Sequence, residues 1–321
     1  MNFKFACNMV CLPVLLLAAS SVQAFPNKPI QIVVPFGAGS ITDVVARSVA
    51  EKMREGLGQT VIVENKPGVG GIIGAAYVAR ANPDGYTILL GSNSTNSINQ
   101  SLFKQLPYSP EKDLIPISLA GEIPAVLVTP GQHQVNNMKE LIALARQRPS
   151  TLSFGIGNTT NRVAGEMLQK EGKFAGVIVP YRGEPYGMTD LLGRQIDFMF
   201  VNLPVAYPHI VSGKIKAIAL TGNERVSALP SIPTVSETVP AFSMPNGWLA
   251  FFAPAGTDKA VIDRLNHEIV LALKDPAVVK RLEGTGGYIV KSSSPAALGE
   301  RVSKDAERWG QLIKDAGIAL E

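Results

Sequence analysis

The sequence contains very little cysteine. Its 321 residues include two, Cys7 and Cys11, and both lie near the N-terminus. The rest of the chain therefore forms no disulfide and offers no thiol for catalysis or for a metal site. Histidine is scarce as well, because His133, His209 and His267 stand apart and lack the spacing of a zinc site. A chain of this length can do without disulfides, since it can bury a large hydrophobic core.

Strong charge and long apolar runs are also missing from most of the chain. The 30 Lys and Arg residues nearly balance 26 Asp and Glu, which leaves a formal net charge of +4 at pH 7. No polybasic run occurs, so nothing in the sequence supports nucleic-acid binding. Beyond the N-terminus, the most apolar stretch is GWLAFFAP at 247–254, far below the roughly 20 residues that a membrane span needs.

The first residues are typical of a secretory signal peptide. Lys4 precedes an apolar run from Met9 to Ala19, and Val22-Gln23-Ala24 resembles an A-x-A cleavage site. An uncleaved membrane anchor is the alternative, but the apolar run is short for that role. We expect residues 1–24 to be removed by cleavage after Ala24, which gives a soluble exported protein.

Strand-like and helix-like segments alternate along the rest of the chain. Helical periodicity is found after Ser40 and at 138–147, 163–170, 258–274 and 295–316. The alternation predicts an α/β protein with parallel sheets flanked by helices. The strand-like segments are short, rich in β-branched residues and closed by turn residues, at 30–34, 60–65, 86–91, 125–130, 152–157, 177–181, 196–202, 215–222 and 248–254.

This number of strands favours two domains rather than one. Two proline-rich stretches, 115–130 and 229–245, are the places where we expect the chain to cross between them. The first lobe would then contain residues 25–124 and 255–321, and the second lobe residues 125–254.

The turn after the first strand has the features of an anion site. Gly37 and Gly39 follow the buried strand, and Ser40-Ile41-Thr42-Asp43 fits the capping signature of a helix start. A helix that begins at such a turn presents free N–H groups and the positive end of its dipole.

Three further turns of this type follow strands, at Gly91–Thr95, Gly157–Thr160 and Tyr181–Gly183. Any one of them alone is most simply a capped helix with polar turn residues. Ligands of α/β sheets bind at the carboxyl ends of strands, so the four turns could converge on one ligand. More than one turn must contact the ligand. Micromolar binding requires a binding free energy of about 8 kcal/mol, whereas one helix terminus supplies at most about 2 kcal/mol.

Enzyme motifs are weak or incomplete. A dinucleotide fingerprint would need a third glycine where Thr42 stands. Two S-x-x-K matches, at 101–104 and 109–112, lack the motifs that accompany them in penicillin-binding enzymes, and no G-x-S-x-G occurs. We therefore expect a binding protein and not an enzyme, with no cofactor and no metal.

Several segments resemble one family over essentially the whole of residues 25–321. They are PIQIVVPFGAGSITDVVAR (29–47), LGQTVIVENKPGVGGIIGAAYVARANPDGYTILL (57–90), LPYSPEKDLIPIS (106–118), VPYRGEPYGMTDLLGRQIDFMF (179–200) and GWLAFFAPAGT (247–257). These resemble the periplasmic solute-binding proteins of tripartite tricarboxylate transporters, often called Bug proteins. The resemblance implies a type II periplasmic-binding-protein fold, in which two α/β lobes close on a ligand like a Venus flytrap. It also implies a location in the periplasm, a small carboxylate ligand, and two membrane subunits as partners of a monomeric receptor.

The resemblance also implies which residues hold the ligand. One carboxylate would be held by backbone N–H groups and water rather than by a salt bridge. The ligand-binding residues carried over are Phe36, Gly37, Gly39, Ser40, Thr42, Asp43, Ser92, Asn93, Ser94, Gly157, Asn158, Thr159, Arg162, Tyr181, Val201 and Asn202.

Departures from the family pattern bear on the ligand. The family usually shows a Pro-Pro-Gly-Gly-like turn at 37–40, and many members carry His at the position of Arg162. Arg162 either points to solvent or reaches a second carboxylate, and Trp248 either walls the pocket or packs in the core. Several amino-acid binders carry Asp at the position of Val201, and Val cannot accept a hydrogen bond from an ammonium group.

The resulting expectation is a receptor for a dicarboxylate or an aromatic carboxylate that lacks an amine. Two alternatives stay open: a sensor protein that presents its ligand to a membrane receptor kinase, and a secreted enzyme that acts on a carboxylate.

Overall fold

The structure is a computed structural model that describes residues 25–320. The predicted signal peptide lies outside the described residues. Among the helices of this range, none has the length and apolar character to cross a membrane. The strands are β1 Ile30–Val34, β2 Val61–Asn65, β3 Thr87–Ser92, β4 Leu114–Ile123, β5 Ala125–Pro130, β6 Ser153–Ile156, β7 Val177–Pro180, β8 Phe198–Asn202, β9 Ile215–Leu220, β10 Gly247–Pro254 and β11 Ile289–Val290.

Helices cover both sheets, and the amphipathic segments found in the sequence are confirmed as helices. Val45, Val49 and Met53 are fully buried on one face of the first helix, as their spacing predicts. The α-helices are α1 Ile41–Leu57, α2 Ile72–Ala79, α3 Pro110–Asp113, α4 Met138–Gln147, α5 Thr159–Gly172, α6 Glu184–Leu192, α7 Leu203–Val211, α8 Lys259–Lys274, α9 Pro276–Glu283 and α10 Pro295–Ala316.

Within residues 25–320 the strands form two sheets, one in each lobe. The first has the order β11-β4-β10-β3-β1-β2 and the second the order β7-β6-β8-β5-β9. In the first sheet β1 is central to a parallel set, in which Ile32 lies opposite Val63 of β2 and Ile88 of β3. In the second, β6 runs parallel to β7 and β8. The predicted α/β class with two lobes is confirmed.

Both sheets are mixed, which corrects the expectation of purely parallel sheets. β10 is antiparallel to β3 and β4, and β5 is antiparallel to β8 and β9. Two strands of antiparallel pairs, β4 and β5, carry the chain from the first lobe to the second. A single residue, Pro124, separates β4 of the first sheet from β5 of the second.

The lobe boundaries also differ from those expected. Residues 247–254 form β10 within the first sheet, so the return to the first lobe precedes Gly247 instead of following residue 254. The last helix contacts both cores: Leu298 and Val302 pack with Trp248, whereas Trp309 and Ile313 pack with the core of the second lobe. We therefore propose that residues 25–123 and 247–308 form the first lobe, and that α10 ends against the second.

Candidate ligand-binding site between the lobes

A cavity lies where the strand ends of the two sheets face each other. The space inside it that can hold the centre of a water-sized sphere is about 30 Å³, which is room for about two water molecules. Both lobes supply its walls, which are formed by Phe36, Ser40, Ile41, Thr42, Ser92, Asn93, Ser94, Ile123, Gly157, Asn158, Thr160, Glu184, Asn202, Gly247, Trp248 and Leu249.

The start of α1 forms one wall of this cavity. Ser40 caps the helix by accepting a hydrogen bond from the backbone N–H of Asp43 at 3.3 Å. Gly39 has a φ of +80°, a left-handed conformation that glycine adopts without strain. Its N–H donates to the Asp43 carboxylate at 3.1 Å. The turn thus holds the first N–H groups of α1, which have no acceptor within the helix, against the cavity.

Asp43 stabilises this turn from behind the cavity. Arg47 lies 2.9 Å from one of its carboxylate oxygens, one helical turn later. Burial alone would raise the pKa of Asp43, but the hydrogen bonds from Arg47 and from the Gly39 N–H lower it below the ordinary value. Asp43 is therefore ionised, and its hydrogen bonds stabilise the N-terminus of α1.

The start of α5 forms the opposite wall. Asn158 caps α5 by accepting a hydrogen bond from the Asn161 N–H at 2.8 Å. Gly157, just before it, packs tightly on the start of α6: a Cβ there would lie 2.4 Å from the backbone nitrogen of Glu184. Only glycine permits this approach, which brings α5 and α6 to the cavity side by side.

Four helix N-termini border the cavity. α1 contributes Ser40, α5 contributes Asn158, α6 contributes Glu184 as its first residue, and α7 contributes Asn202 as its cap. Helix N-termini carry partial positive charge and uncommitted N–H groups. Of the described residues that line the cavity, none is Lys, Arg or His. Any attraction for an anion therefore comes from amide dipoles and hydroxyl groups.

The loop after β3 adds a further set of polar groups. The buried Ser92 Oγ has no hydrogen-bond partner among the described residues, although it lines the cavity. Thr95 holds the loop by accepting from the Ser92 N–H at 2.9 Å. A buried hydroxyl without a partner is costly unless something else satisfies it. Ser92 Oγ is thus a group that a polar ligand would satisfy.

The two lobes touch around the cavity. Asn93 Nδ2 of the first lobe donates to Thr160 Oγ1 of the second at 2.9 Å, and Ser94 Oγ lies 3.0 Å from the same hydroxyl. At the mouth, Tyr186 lies over Gly37, where a Cβ would be 3.2 Å from the tyrosine ring. The structure is therefore a closed form of the two-lobed protein.

Glu184 is the acidic group of the cavity wall. Its side chain is buried and its Oε1 accepts from Asn161 Nδ2 at 2.7 Å, from the Asn202 N–H at 2.7 Å and from Asn158 Nδ2 at 3.0 Å. Burial raises the pKa of Glu184 to about 7, and these hydrogen bonds oppose the rise only in part. Close to neutral pH this carboxyl group can carry a proton or a charge.

The remaining wall is apolar. Trp248 is fully buried, and its indole N–H donates to Asp305 of α10. The aromatic and aliphatic surface of this wall would contact the carbon skeleton of a ligand. Its members are Phe36, Ile41, Ile123, Trp248 and Leu249. Of the two roles considered for Trp248, the structure shows both, since it packs in the core and walls the cavity.

Many of the residues expected to hold the ligand surround this one cavity. They are Phe36, Ser40, Thr42, Ser92, Asn93, Ser94, Gly157, Asn158 and Asn202. Gly37, Gly39 and Asp43 are not among the lining residues, and they form the turn at the start of α1.

Four other expected residues lie elsewhere, which corrects their placement. Thr159 donates to Asn99 at 2.8 Å, away from the cavity. Arg162 forms an ion pair with Glu166 at 2.7 Å, and the Tyr181 hydroxyl donates to Asp190. Thr159, Arg162 and Tyr181 line a separate pocket on the other side of α5, which is bounded by Val69 and Phe103.

Val201 is the fourth of these residues. It is fully buried in the core of the second lobe, on the side of β8 away from the cavity. The lack of an acceptor at Val201 therefore says nothing about the ligand.

Sequence reasoning missed several lining residues. Thr160 follows predicted neighbours and could have been included from the helix-start pattern. Glu184 carried no comparable signal, because its burial depends on contacts with Gly157, Asn158 and Asn202, which are distant in sequence. The other missed residues are Ile41, Ile123, Gly247 and Leu249.

A family model supports the same assignment. Residues 45–318 match the tripartite tricarboxylate transporter family receptor. The chain belongs to this family. Its two-lobed fold and its interlobe cavity are thus those of a solute-binding receptor.

Solved structures agree with the family assignment. The periplasmic binding protein BugD is 37% identical, with a TM-score of 0.87, covering 92% of this chain and 100% of its own. The R. palustris protein Rpa4515, solved with adipate, is 29% identical with a TM-score of 0.88, covering 92% and 100%. MatC from Rhodopseudomonas palustris, solved with bound malate, is 30% identical with a TM-score of 0.85, covering 90% and 100%.

Proposed function

We propose that this receptor binds a small dicarboxylate or aromatic carboxylate in the periplasm and delivers it to the membrane subunits of a tripartite tricarboxylate transporter. The observation that carries the proposal is the cavity bordered by four helix N-termini from two lobes. The adipate and malate that related proteins hold support a carboxylate as the ligand.

The proposed site binds an anion without a salt bridge. Charge-assisted hydrogen bonds contribute roughly 1.5–3 kcal/mol each, and each helix terminus adds at most about 2 kcal/mol. Three or four such contacts reach the 8 kcal/mol or so of a micromolar complex. The α1 terminus with Ser40 and Thr42 would hold one carboxylate, and Ser92 with Thr160 would complete its coordination.

A thermal-shift screen of the mature protein against mono-, di-, tri- and aromatic carboxylates tests this proposal. Malate, adipate, citrate and benzoate would represent the classes, and aspartate and glutamate would serve as amine-bearing controls. A ligand at 100 times its dissociation constant should add about 2.7 kcal/mol to the free energy of unfolding. If no carboxylate stabilises the protein, the proposal is wrong.

The same screen addresses an enzymatic role. The ligand would be recovered from the complex and compared with the starting compound by mass spectrometry. We expect it to return unchanged, and a changed mass would favour an enzyme. Co-purification with transporter subunits or with a receptor kinase would identify the membrane partner.

A further inference from the structure

Glu184 places a carboxyl group in a cavity that we propose to bind carboxylates. Three hydrogen bonds, from the Asn158 and Asn161 side chains and from the Asn202 backbone N–H, end on one oxygen, Oε1. The Asn202 side chain interacts with the carboxyl group as well. An oxygen that already accepts three donors is a poor site for a proton. A proton on this carboxyl group would therefore lie on Oε2.

No cation balances Glu184 among the described residues. Around the cavity, Arg162 pairs with Glu166 on α5, and Arg47 pairs with Asp43 on α1. Arg182 on the loop before α6 is exposed. Asp190 on α6 accepts from the Tyr181 hydroxyl instead. The partners of Glu184 are thus neutral amides, whose hydrogen bonds only partly offset the cost of burying its ionised form.

A carboxylate ligand would bring a second negative charge next to the buried Glu184, which has no cation to balance it among the described residues. Two like charges that share one buried site cannot both be ionised without a large cost, so one of them takes up a proton. The ligand carboxylate lies among helix N-termini, which favour its ionised form. Glu184 also lies at a helix start, but it is fully buried, which raises its pKa to about 7, whereas a simple carboxylic acid has a pKa of about 4. Glu184 is therefore the group that accepts the proton.

We propose, on the basis of the function proposed above, that Glu184 binds the ligand as a neutral acid. Oε1 keeps its three amide donors, and the Oε2 hydroxyl donates a hydrogen bond to a carboxylate oxygen of the ligand. When Glu184 is ionised in the free receptor, closure on the ligand takes one proton from solvent. The site then selects carboxylates without an ammonium group, because a neutral Glu184 gives such a group no countercharge.

Calorimetry on the mature protein tests proton uptake directly. Malate or adipate, or the acid with the largest shift in the screen, would be titrated at about pH 6.5, 7.5 and 8.5, where simple carboxyl groups are fully ionised. Two buffers with different ionisation enthalpies report the number of protons bound. We expect uptake to approach one proton per ligand at the highest pH, and the association constant to fall about tenfold per pH unit above pH 7.5.

The Glu184→Gln variant provides the second test. Glutamine keeps an oxygen for the three amide donors and places a permanent N–H donor where Oε2 stood. We expect affinity to become independent of pH, with no proton uptake and binding at pH 8.5 about 30-fold tighter than that of the wild type. Glu166→Gln, which alters a carboxylate on α5 outside the cavity, should behave like the wild type.

The outcomes separate this proposal from the function on which it rests. If no carboxylate binds to either protein, both fail. If a carboxylate binds without proton uptake and with constant affinity, the role of Glu184 alone is wrong. If Glu184→Gln loses tenfold or more in affinity while aspartate binds the wild type tightly, Glu184 is an anionic partner for an ammonium group. Proton uptake is measured on the wild type, so the test holds even if the variant does not fold.

Discussion

Asn93 and Thr160 belong to different lobes, and a hydrogen bond of 2.9 Å joins them across the edge of the cavity. Thr160 Oγ1 also lies 3.0 Å from Ser94 Oγ. The hydroxyl of one residue therefore links the α5 terminus to the loop after β3. These contacts form when the lobes close, so they contribute to the stability of the closed state.

Replacing Thr160 with valine should shift the receptor toward its open form. Valine keeps the shape of the side chain but removes two hydrogen bonds, each contributing about 0.5–1.5 kcal/mol. Ligand affinity in calorimetry should fall roughly 5- to 100-fold, and small-angle scattering should show a larger radius of gyration.

Thr189→Val is the matched control for this change. Thr189 is exposed on α6, and its hydroxyl bonds only within that helix, to the Pro185 carbonyl. The Thr189→Val variant should therefore keep the ligand affinity and the radius of gyration of the wild type. Equal affinities for the two variants would contradict a role of the Thr160 hydroxyl in closure.

Ser92 should show opposite effects on stability and binding. Its buried Oγ has no hydrogen-bond partner within residues 25–320, so Ser92→Ala removes an unsatisfied polar group. The free energy of unfolding of the ligand-free protein should stay the same or rise by up to about 1 kcal/mol, whereas ligand affinity should fall roughly tenfold. Thermal denaturation and calorimetry measure the two quantities. A variant that is destabilised but binds normally would show that Ser92 supports the fold only.

Glu184 should give the ligand-free protein a distinctive pH dependence. Its pKa is about 7 in the folded state and 4.5 in the reference state, so the folded protein binds more protons between these values. Its contribution to stability is therefore complete below about pH 4.5 and is lost as the pH rises through 7, with a total of about 3 kcal/mol.

Denaturant titrations of the wild type and Glu184→Gln from pH 5 to pH 8 isolate this effect. The difference in unfolding free energy between the two proteins should change across this range. As the pH rises, the variant should become more stable relative to the wild type. Carboxylates with lowered pKa values, such as Glu237 at about 2, titrate below this window and cancel in the comparison. A constant difference from pH 5 to pH 8 would show that Glu184 is ionised throughout.

Gly157 should tolerate no side chain. The Cβ of Gly157→Ala would meet the backbone nitrogen of Glu184 at 2.4 Å and its Cα at 2.7 Å. Relieving the clash requires a shift of α6, which should cost about 1–3 kcal/mol of stability. It should also displace Glu184 from its amide partners and weaken ligand binding.

Gly299→Ala is the control for the glycine substitution. Gly299 lies inside α10, and its Cβ would meet nothing closer than 3.7 Å. Alanine should stabilise this helix by about 0.5–1 kcal/mol relative to glycine. Denaturation midpoints compare the two variants, and a similar loss in both would rule out the contact at Gly157 as the cause.

The sequence by itself determined the features that depend on neighbours along the chain. The caps Ser40 and Asn158 each bond to a residue three positions later, so a short motif predicts them. Helical periodicity and the family resemblance together predicted the α/β class, the two lobes and much of the cavity wall.

Only the tertiary structure decided which side chains face the cavity. Asn93 and Thr160 are 67 residues apart, and the partners of Glu184 come from the ends of two other elements. Whether Val201 or Asn202 faces the ligand depends on the register and termination of β8, because successive residues of a strand point to opposite sides. The burial of Glu184, and hence its proton affinity, arises from the packing of α5, α6 and β8, which no local pattern encodes.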